Sequence, residues 1–296
     1  MARPALADVA ELLKPITWFP PMWAFGCGVV ASGMPAQGRW GLIVLGILLA
    51  GPLICATSQV VNDWFDRDVD AINEPHRPIP SGRIPGRWGL YIGIFWTLLS
   101  LAVAALLGPW GFGAGVVGLI LAWAYSAPPA RLKRNGWWGN TACAFSYEGL
   151  AWVTGAAVMM SGAMPESRSL ALAVIYSVGA HGIMTLNDFK SIAGDKQMGI
   201  ASLPVQLGVK GAAGTACLLM GAAQLAVVVL LVLWERPVHA TAVAALLAAQ
   251  LLLMRRFLGD PVARATWYSG LGVTLYVIGM LVSAFALRGL AAGGTA

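Results

Sequence analysis

The sequence predicts an all-α, polytopic membrane protein: nine transmembrane helices around a central cavity, with the N-terminus in the cytoplasm. Three observations carry that prediction. The chain of 296 residues is 58% apolar and 11% charged, with a mean hydropathy of +0.73. Its apolar residues gather into runs of about 17–25, the length that crosses a hydrocarbon core. Its basic residues fall between those runs and mostly on alternate sides. The net charge of +6 does not point to nucleic acid, because no polar face collects it.

Nine runs read as spans: residues 16–33, 40–61, 88–107, 109–125, 139–161, 169–187, 212–234, 240–257 and 267–287. Backbone groups cannot stay unpaired in lipid, so each run must be helical. Only Gly108 and Pro109 separate the third from the fourth. Trp40, Trp110 and Trp234 fall near run ends, as an interfacial aromatic belt requires. With the N-terminus inside, fifteen of the 19 Lys and Arg residues are cytoplasmic. Arg39, Arg168, Arg236 and Arg288 are outside, which places the C-terminus outside as well. Residues 1–296 form one membrane domain, with cytoplasmic connections at 62–87, 126–138 and 187–211. The N-terminal stretch MARPALADVAELLKP mixes both charge signs and lacks an apolar core. Neither a cleaved signal nor an organelle transit peptide is expected, which favours a bacterial inner or intracytoplasmic membrane. Cys27, Cys55, Cys143 and Cys217 lie in apolar runs and read as small buried hydrophobes. A small-residue tail follows Arg288.

The first connection opens with NDWFDRDVDAINEPHRPIPSGRI, residues 62–84, and holds five of the chain's 13 acidic residues. Asn62, Asp66 and Asp70 recur every four residues, so a helix puts them on one face, with Asp63 and Asp68 beside them. Two carboxylates ~4 Å apart repel by about 4 kcal/mol at an effective dielectric of 20. Such a row calls for something cationic among its members. In the third connection, Asp188 and Asp195 are separated by about two helical turns, again one face. The segments Val61-Asn62-Asp63-Trp64 and Leu186-Asn187-Asp188-Phe189 echo one another at helix ends. Hard oxygen ligands of this kind suit Mg²⁺, which takes one or two carboxylates and completes its shell with water and phosphate. Asn62, Asp66, Asp70, Asp188 and Asp195 are the candidate ligands, and no Cys or His joins them for zinc.

The middle connection, YSAPPARLKRNGWWGN, crowds Arg131, Lys133 and Arg134 into four residues after Tyr125. Alone it reads as a positive-inside anchor. Beside two acidic clusters on the same membrane face, it reads as a binding site for a diphosphate. Arg67, Arg77 and Lys190 add charge around that site. A diphosphate at the rim of an apolar bundle implies an amphiphile, a polyprenyl diphosphate with its tail inside. Ionisation of its allylic C–O bond would be assisted by cations at the rim and protected from water by the apolar interior.

At this point the chain resembles the UbiA superfamily of intramembrane prenyltransferases over nearly its whole length. The first motif fits the family pattern N-D-x-x-D-x-x-x-D at Asn62, Asp63, Asp66 and Asp70. The resemblance implies a catalytic role for these four and for Asp188 and Asp195. The second motif departs: where many members carry D-x-x-x-D, this chain has Ser191-Ile-Ala-Gly-Asp195, and Asp188 is the residue placed to compensate. Lys14 resembles a basic family position near the diphosphate; as a plain topogenic charge it needs no such role. Within the superfamily, the runs NDWFDRDVDAINEPHRPIPSGRI, YSAPP.RLKR.GW.GN and NDFKSI.GD…GI.SLPV look like chlorophyll and bacteriochlorophyll synthases. That implies esterification of the 17-propionate of chlorophyllide or bacteriochlorophyllide from geranylgeranyl or phytyl diphosphate. The implied partners are these two substrates, the bilayer and proteins of pigment biosynthesis.

The remaining candidates keep two readings each. Glu148 lies in the fifth run and either lines the pocket or pairs within the bundle. His181 either ligates the macrocycle's central Mg or is an interhelical histidine. His76 and Arg83, in a loop stiffened by Pro78 and Pro80, are expected to fold over the site and touch the acceptor. A quinone precursor, haem or a lipid is the alternative acceptor. A transporter would instead place its carboxylates near the bilayer midplane.

Overall fold

A computed structural model describes residues 3–293, with side chains to residue 290, so the end of the tail lies outside the described residues. The described chain is helical throughout, with one isolated β-bridge between Asn135 and Ala201. In order the helices are α1 Leu6–Leu12, α2 Phe19–Ala31, α3 Trp40–Leu48, α4 Ala56–Asn73, α5 Trp88–Ala104, α6 Gly108–Ser126 and α7 Gly136–Ala144. There follow α8 Ala151–Met159, α9 Ser167–Asp188, α10 Ile192–Gln197, α11 Leu203–Leu233, α12 Pro237–Gly259 and α13 Pro261–Gly293.

Six helical stretches among the described residues are long and apolar enough to cross a membrane: Trp40–Asn73, Trp88–Ser126, Ser167–Asp188, Leu203–Leu233, Pro237–Gly259 and Pro261–Leu290. The chain is a multi-pass membrane protein. The difference from nine expected runs has local causes. The run 16–33 is helical only over Phe19–Ala31, 13 residues. The run 139–161 is one continuous helical stretch from Gly136 to Met159, diluted by polar Asn140, Ser146 and Glu148. The runs 88–107 and 109–125 join into one stretch that turns back on itself. Gly108 takes φ +80°, and Trp123 of α6 donates to Thr97 of α5. Two helices also outrun their apolar cores. α4 carries the acidic motif as helix to Asn73 rather than as loop, and α11 begins at Leu203, kinked where Gly208 takes φ +71°.

Small residues let the helices approach closely. A Cβ on Gly28 would sit 2.0 Å from the Trp152 carbonyl oxygen, and one on Gly155 would sit 2.1 Å from that of Phe25. That pair locks α2 against α8. Trp152, Tyr176 and Tyr276 fill the core between α8, α9 and α13. A second cluster, Leu12, Leu13, Val60, Ile84 and Ile92, docks α1 against α4 and α5.

Two π-helical segments widen the bundle, Leu49–Cys55 before α4 and Phe145–Leu150 between α7 and α8. Pro52 explains the first: it cannot donate, so the ladder loosens, and Trp96 donates to its carbonyl at 3.0 Å. The segments meet where the Cys55 thiol donates to the Tyr147 hydroxyl at 3.3 Å.

Candidate active site

The site is built from three chain segments. The first is the C-terminal half of α4. Its four-residue period sets Asn62, Asp66 and Asp70 along one face, and all three line a cavity of about 540 Å³. The second is the turn Leu132–Arg134 leading into α7. Asn135 caps that helix, accepting from the backbone N–H of Trp137 at 3.0 Å and of Trp138 at 3.4 Å. The third is the end of α9 with α10, which brings Asp188, Lys190, Ser191 and Asp195 to the opposite wall. The last two segments are stitched together by backbone. Gly136 donates to the Ala201 carbonyl at 2.8 Å, and Ala201 to that of Arg134 at 2.9 Å. A Cβ on Gly136 would lie 2.6 Å from the Leu203 nitrogen, so only glycine lets the strands of chain approach.

The cationic partners that the acidic row calls for are the chain's own. Asp66 contacts Lys133 directly, with Asn62 at 3.1 Å and Arg131 at 3.8 Å. Asp70 accepts from Arg77 at 2.8 Å. Burial pulls the Lys133 ammonium below the usual lysine range, and the Asp66 carboxylate opposes it. Asp188 accepts from Asn140 at 3.1 Å, and Asp195 from Ser191 at 2.8 Å. Ser191, where the family motif carries an aspartate, therefore holds the remaining aspartate in place. Arg134 and Lys190 line the cavity with no carboxylate partner among the described residues.

Other expected residues lie elsewhere. Asp63 is 1% exposed and faces away from the cavity, toward Lys14 at 2.6 Å and Arg77 at 3.6 Å. Lys14 is thereby tied up outside the cavity wall. Arg67 lies 4.5 Å over the Trp64 ring and pairs with Asp68. His76 is exposed beside Glu74. Arg83 does not cover the site. It donates to Asp8 at 2.7 Å, to Glu11 at 2.6 and 2.8 Å and to the His76 carbonyl at 2.7 Å, clasping α1. Glu148 and His181 are buried in the bundle, outside the cavity lining. The sequence echo is not a structural one: Asn62 faces the cavity and Asp63 does not, whereas Asp188 faces it and Asn187 does not.

Asn140, which lines the cavity and orients Asp188, was not singled out from the sequence; nor was Ser126, outside the lining, whose hydroxyl accepts from Asn62 at 3.2 Å. The available signal was a carboxamide early in an apolar run, which must find a polar partner.

Tyr125 lines the polar cavity and also an apolar pocket with Ala50, Ile54, Cys55, Gly118 and Tyr147. A second apolar pocket shares Pro21, Ala50, Ile54, Gly118 and Ser146 with the first and reaches Gly115 and Thr154. Both π segments contribute to these walls. The polar cavity and the first apolar pocket thus adjoin at one side chain, and the second pocket continues the first.

No three His, Cys, Asp or Glu side chains converge as a ready-made metal site among the described residues. The cavity's carboxylates are split between two walls, Asp66, Asp70 and Glu74 against Asp188 and Asp195. That oxygen-only donor set fits a Mg²⁺ ion completed by water and phosphate, not an ion held by protein alone.

A UbiA prenyltransferase family profile matches residues 18–271. The chain is 59% identical over 280 residues to the bacteriochlorophyll synthase 33 kDa chain of Cereibacter sphaeroides, covering 95% of this chain and 92% of that one. It is 56% identical to the corresponding protein of Rhodobacter capsulatus, over 94% and 92% of the two chains. A UbiA homologue from Archaeoglobus fulgidus bound to GPP and Mg²⁺ shares the fold, with a TM-score of 0.66 at 23% identity over 96% and 98% of the chains. Fold, motif and these relatives agree: the chain belongs to the UbiA prenyltransferase family.

Proposed function

We propose that the chain transfers a geranylgeranyl or phytyl group from its diphosphate to the 17-propionate carboxylate of bacteriochlorophyllide or chlorophyllide, working at the cytoplasmic face of a bacterial inner membrane. The acceptor follows the names of the relatives that share more than half of its residues. The observation that carries the site is Tyr125, the wall common to the charged cavity and the first apolar pocket. A diphosphate belongs in the first and a hydrocarbon tail in the second, so Tyr125 marks the position of the scissile C–O bond.

Arg131, Lys133, Arg134 and Lys190 donate to the diphosphate oxygens. When bound among Asp66, Asp70, Asp188 and Asp195, with Asn62 alongside, Mg²⁺ supplies charge neutralisation on the leaving group. The C1–O bond breaks with its electron pair going to the diphosphate. The apolar walls keep water from the allylic carbon. A propionate oxygen then forms the ester bond at C1. Its reference pKa near 4 means that it arrives ionised, so no strong general base is required. Asp63 and Lys14 act as a clip between α1 and α4 rather than on substrate.

The topology follows the charge asymmetry: nine crossings, N-terminus inside, C-terminus outside, with 1–296 as one domain. α2, the α7–α8 stretch and the α5–α6 hairpin make up the difference from the six long apolar stretches.

The test is product analysis with purified protein, Mg²⁺, geranylgeranyl diphosphate, bacteriochlorophyllide and 4-hydroxybenzoate as competing acceptor. Prenyl ester at the propionate is the expected product. A prenylated benzoate with no pigment ester would remove the tetrapyrrole assignment.

A further inference from the structure

The two apolar pockets are joined. Pro21, Ala50, Ile54, Gly118 and Ser146 border both of them. One face of α6 runs the length of the pair. Tyr125, Ala122, Leu121 and Gly118 line the first pocket, and Gly118, Gly115 and Ala114 line the second. Spacings of three and four residues keep these positions in one row down the helix. The row also measures distance. Gly118 lies about 10 Å along the axis from Tyr125, and Ala114 about 16 Å.

The junction between the pockets is narrow, and one missing side chain sets its width. A Cβ on Gly118 would lie 3.5 Å from Ile54 Cγ2, 3.8 Å from Ile54 Cδ1 and 3.8 Å from Leu150 Cδ1. Its nearest neighbours there are side-chain atoms at ordinary van der Waals distance. Gly28 and Gly155 are different: a Cβ on either would run into a carbonyl oxygen of the facing helix. Gly118 is therefore not needed for close helix packing. Alanine is also the better helix former, so folding alone would favour it at this position. What the glycine leaves open is a gap about one methyl group wide, between α6 and two side chains. Those side chains come from the two π segments, Ile54 from Leu49–Cys55 and Leu150 from Phe145–Leu150.

We propose that Gly118, Ile54 and Leu150 form a gauge for the length of the prenyl tail. The proposal rests on the reading that places the scissile bond at Tyr125. From there an extended geranyl tail ends at about the level of Gly118. A longer tail passes Gly118 as the Ile54 side chain turns aside, and its end lies in the second pocket against Gly115, Leu49 and Thr154. Bulk at position 118 then cuts off the far pocket and leaves the near pocket and the charged cavity as they are. Long tails are preferred because only they fill both pockets and remove more apolar surface from water.

The experiment is equilibrium binding of geranyl diphosphate and of geranylgeranyl diphosphate, with Mg²⁺, to the purified full-length protein and its variants. No acceptor is present, so the outcome is independent of acceptor identity. The wild type should bind the geranylgeranyl form more tightly by about tenfold or more. Gly118→Ala should narrow that ratio and Gly118→Val should abolish it, through loss of geranylgeranyl affinity alone. Gly113 is on the same helix, outside both pockets, with nothing within 4 Å of its Cβ position. Gly113→Ala should keep the wild-type ratio. A Gly118→Val protein that keeps the wild-type ratio would overturn the gauge, as would one that loses both ligands equally. A wild type that binds the two tails equally would overturn it without any variant. If the wild type binds neither diphosphate, the prenyl diphosphate reading fails and the gauge fails with it.

Discussion

Lys133 is the residue on which most of the local electrostatics turn. Its ammonium is nearly buried, at 10% side-chain exposure, and contacts Asp66. Desolvation weakens it as an isolated charge, and the carboxylate repairs that. When a diphosphate enters, Lys133 can exchange a carboxylate for phosphate oxygens without returning to water. Removing one preorganised donor of this kind typically costs about 10²–10³ in rate. Lys133→Ala should therefore lower the rate of ester formation by about 100-fold, with Lys133→Arg recovering part of it; an alanine variant at wild-type rate would make the lysine a partner of Asp66 only. The four-residue period of Asn62, Asp66 and Asp70 was legible because a helix converts spacing directly into a face. The orientation of Asp63 was not. Adjacent positions differ by about 100° on a helix, and which one faces the cavity depends on where α1 docks. Asn140 was hidden for a related reason: one amide says nothing of its partner until α9 is placed beside it.

At the scale of elements, α1 and the loop after α4 form a clasp rather than a lid. Arg83 reaches Asp8 and Glu11, while Leu12 and Ile84 bury beside them. Proline spacing in the loop suggested rigidity but could not name its partner, because the partner lies more than seventy residues earlier in the chain. Hydrogen bonds from Arg83 hold the Glu11 carboxyl below its ordinary pKa of 4.5. A lowered folded-state pKa means that this contribution is fully present above the ordinary value and is lost as pH falls through the lowered one. Amide-exchange protection of α1 should thus be flat from pH 8 to about 6 and fall below about pH 4. Arg83→Ala should show the low protection at every pH; protection that is equal in both proteins would dissolve the clasp. The π segments were half legible. Pro52 marks the first, but Phe145–Leu150 contains no proline; its Gly149 packs so closely on α9 that a Cβ there would lie 2.6 Å from the Ser177 hydroxyl.

For the whole molecule, composition and periodicity were enough to read a helical membrane bundle. Counting its crossings was harder, because α2 is short and a single glycine turns α5 back into α6. The proposed orientation rests on a different physical basis, the cost of moving basic loops across the membrane. Single-cysteine labelling in sealed vesicles should find positions beside Arg168 and Arg236 on the face opposite to those beside Arg134 and Arg255. Labelling of all four from one side would overturn the nine-crossing topology. The two acidic walls, the basic turn and the apolar pockets come from sequence positions far apart, and only the bundle brings them to Tyr125.

The central claim is that both acidic walls act together on one prenyl diphosphate. Mg²⁺-dependent ester formation by membranes carrying Asp66→Ala or Asp195→Ala tests it most directly, with folding checked by detergent-solubilised size exclusion. Both variants should fold and lose transfer by about 100-fold or more. Full activity in either would contradict a site that needs both walls.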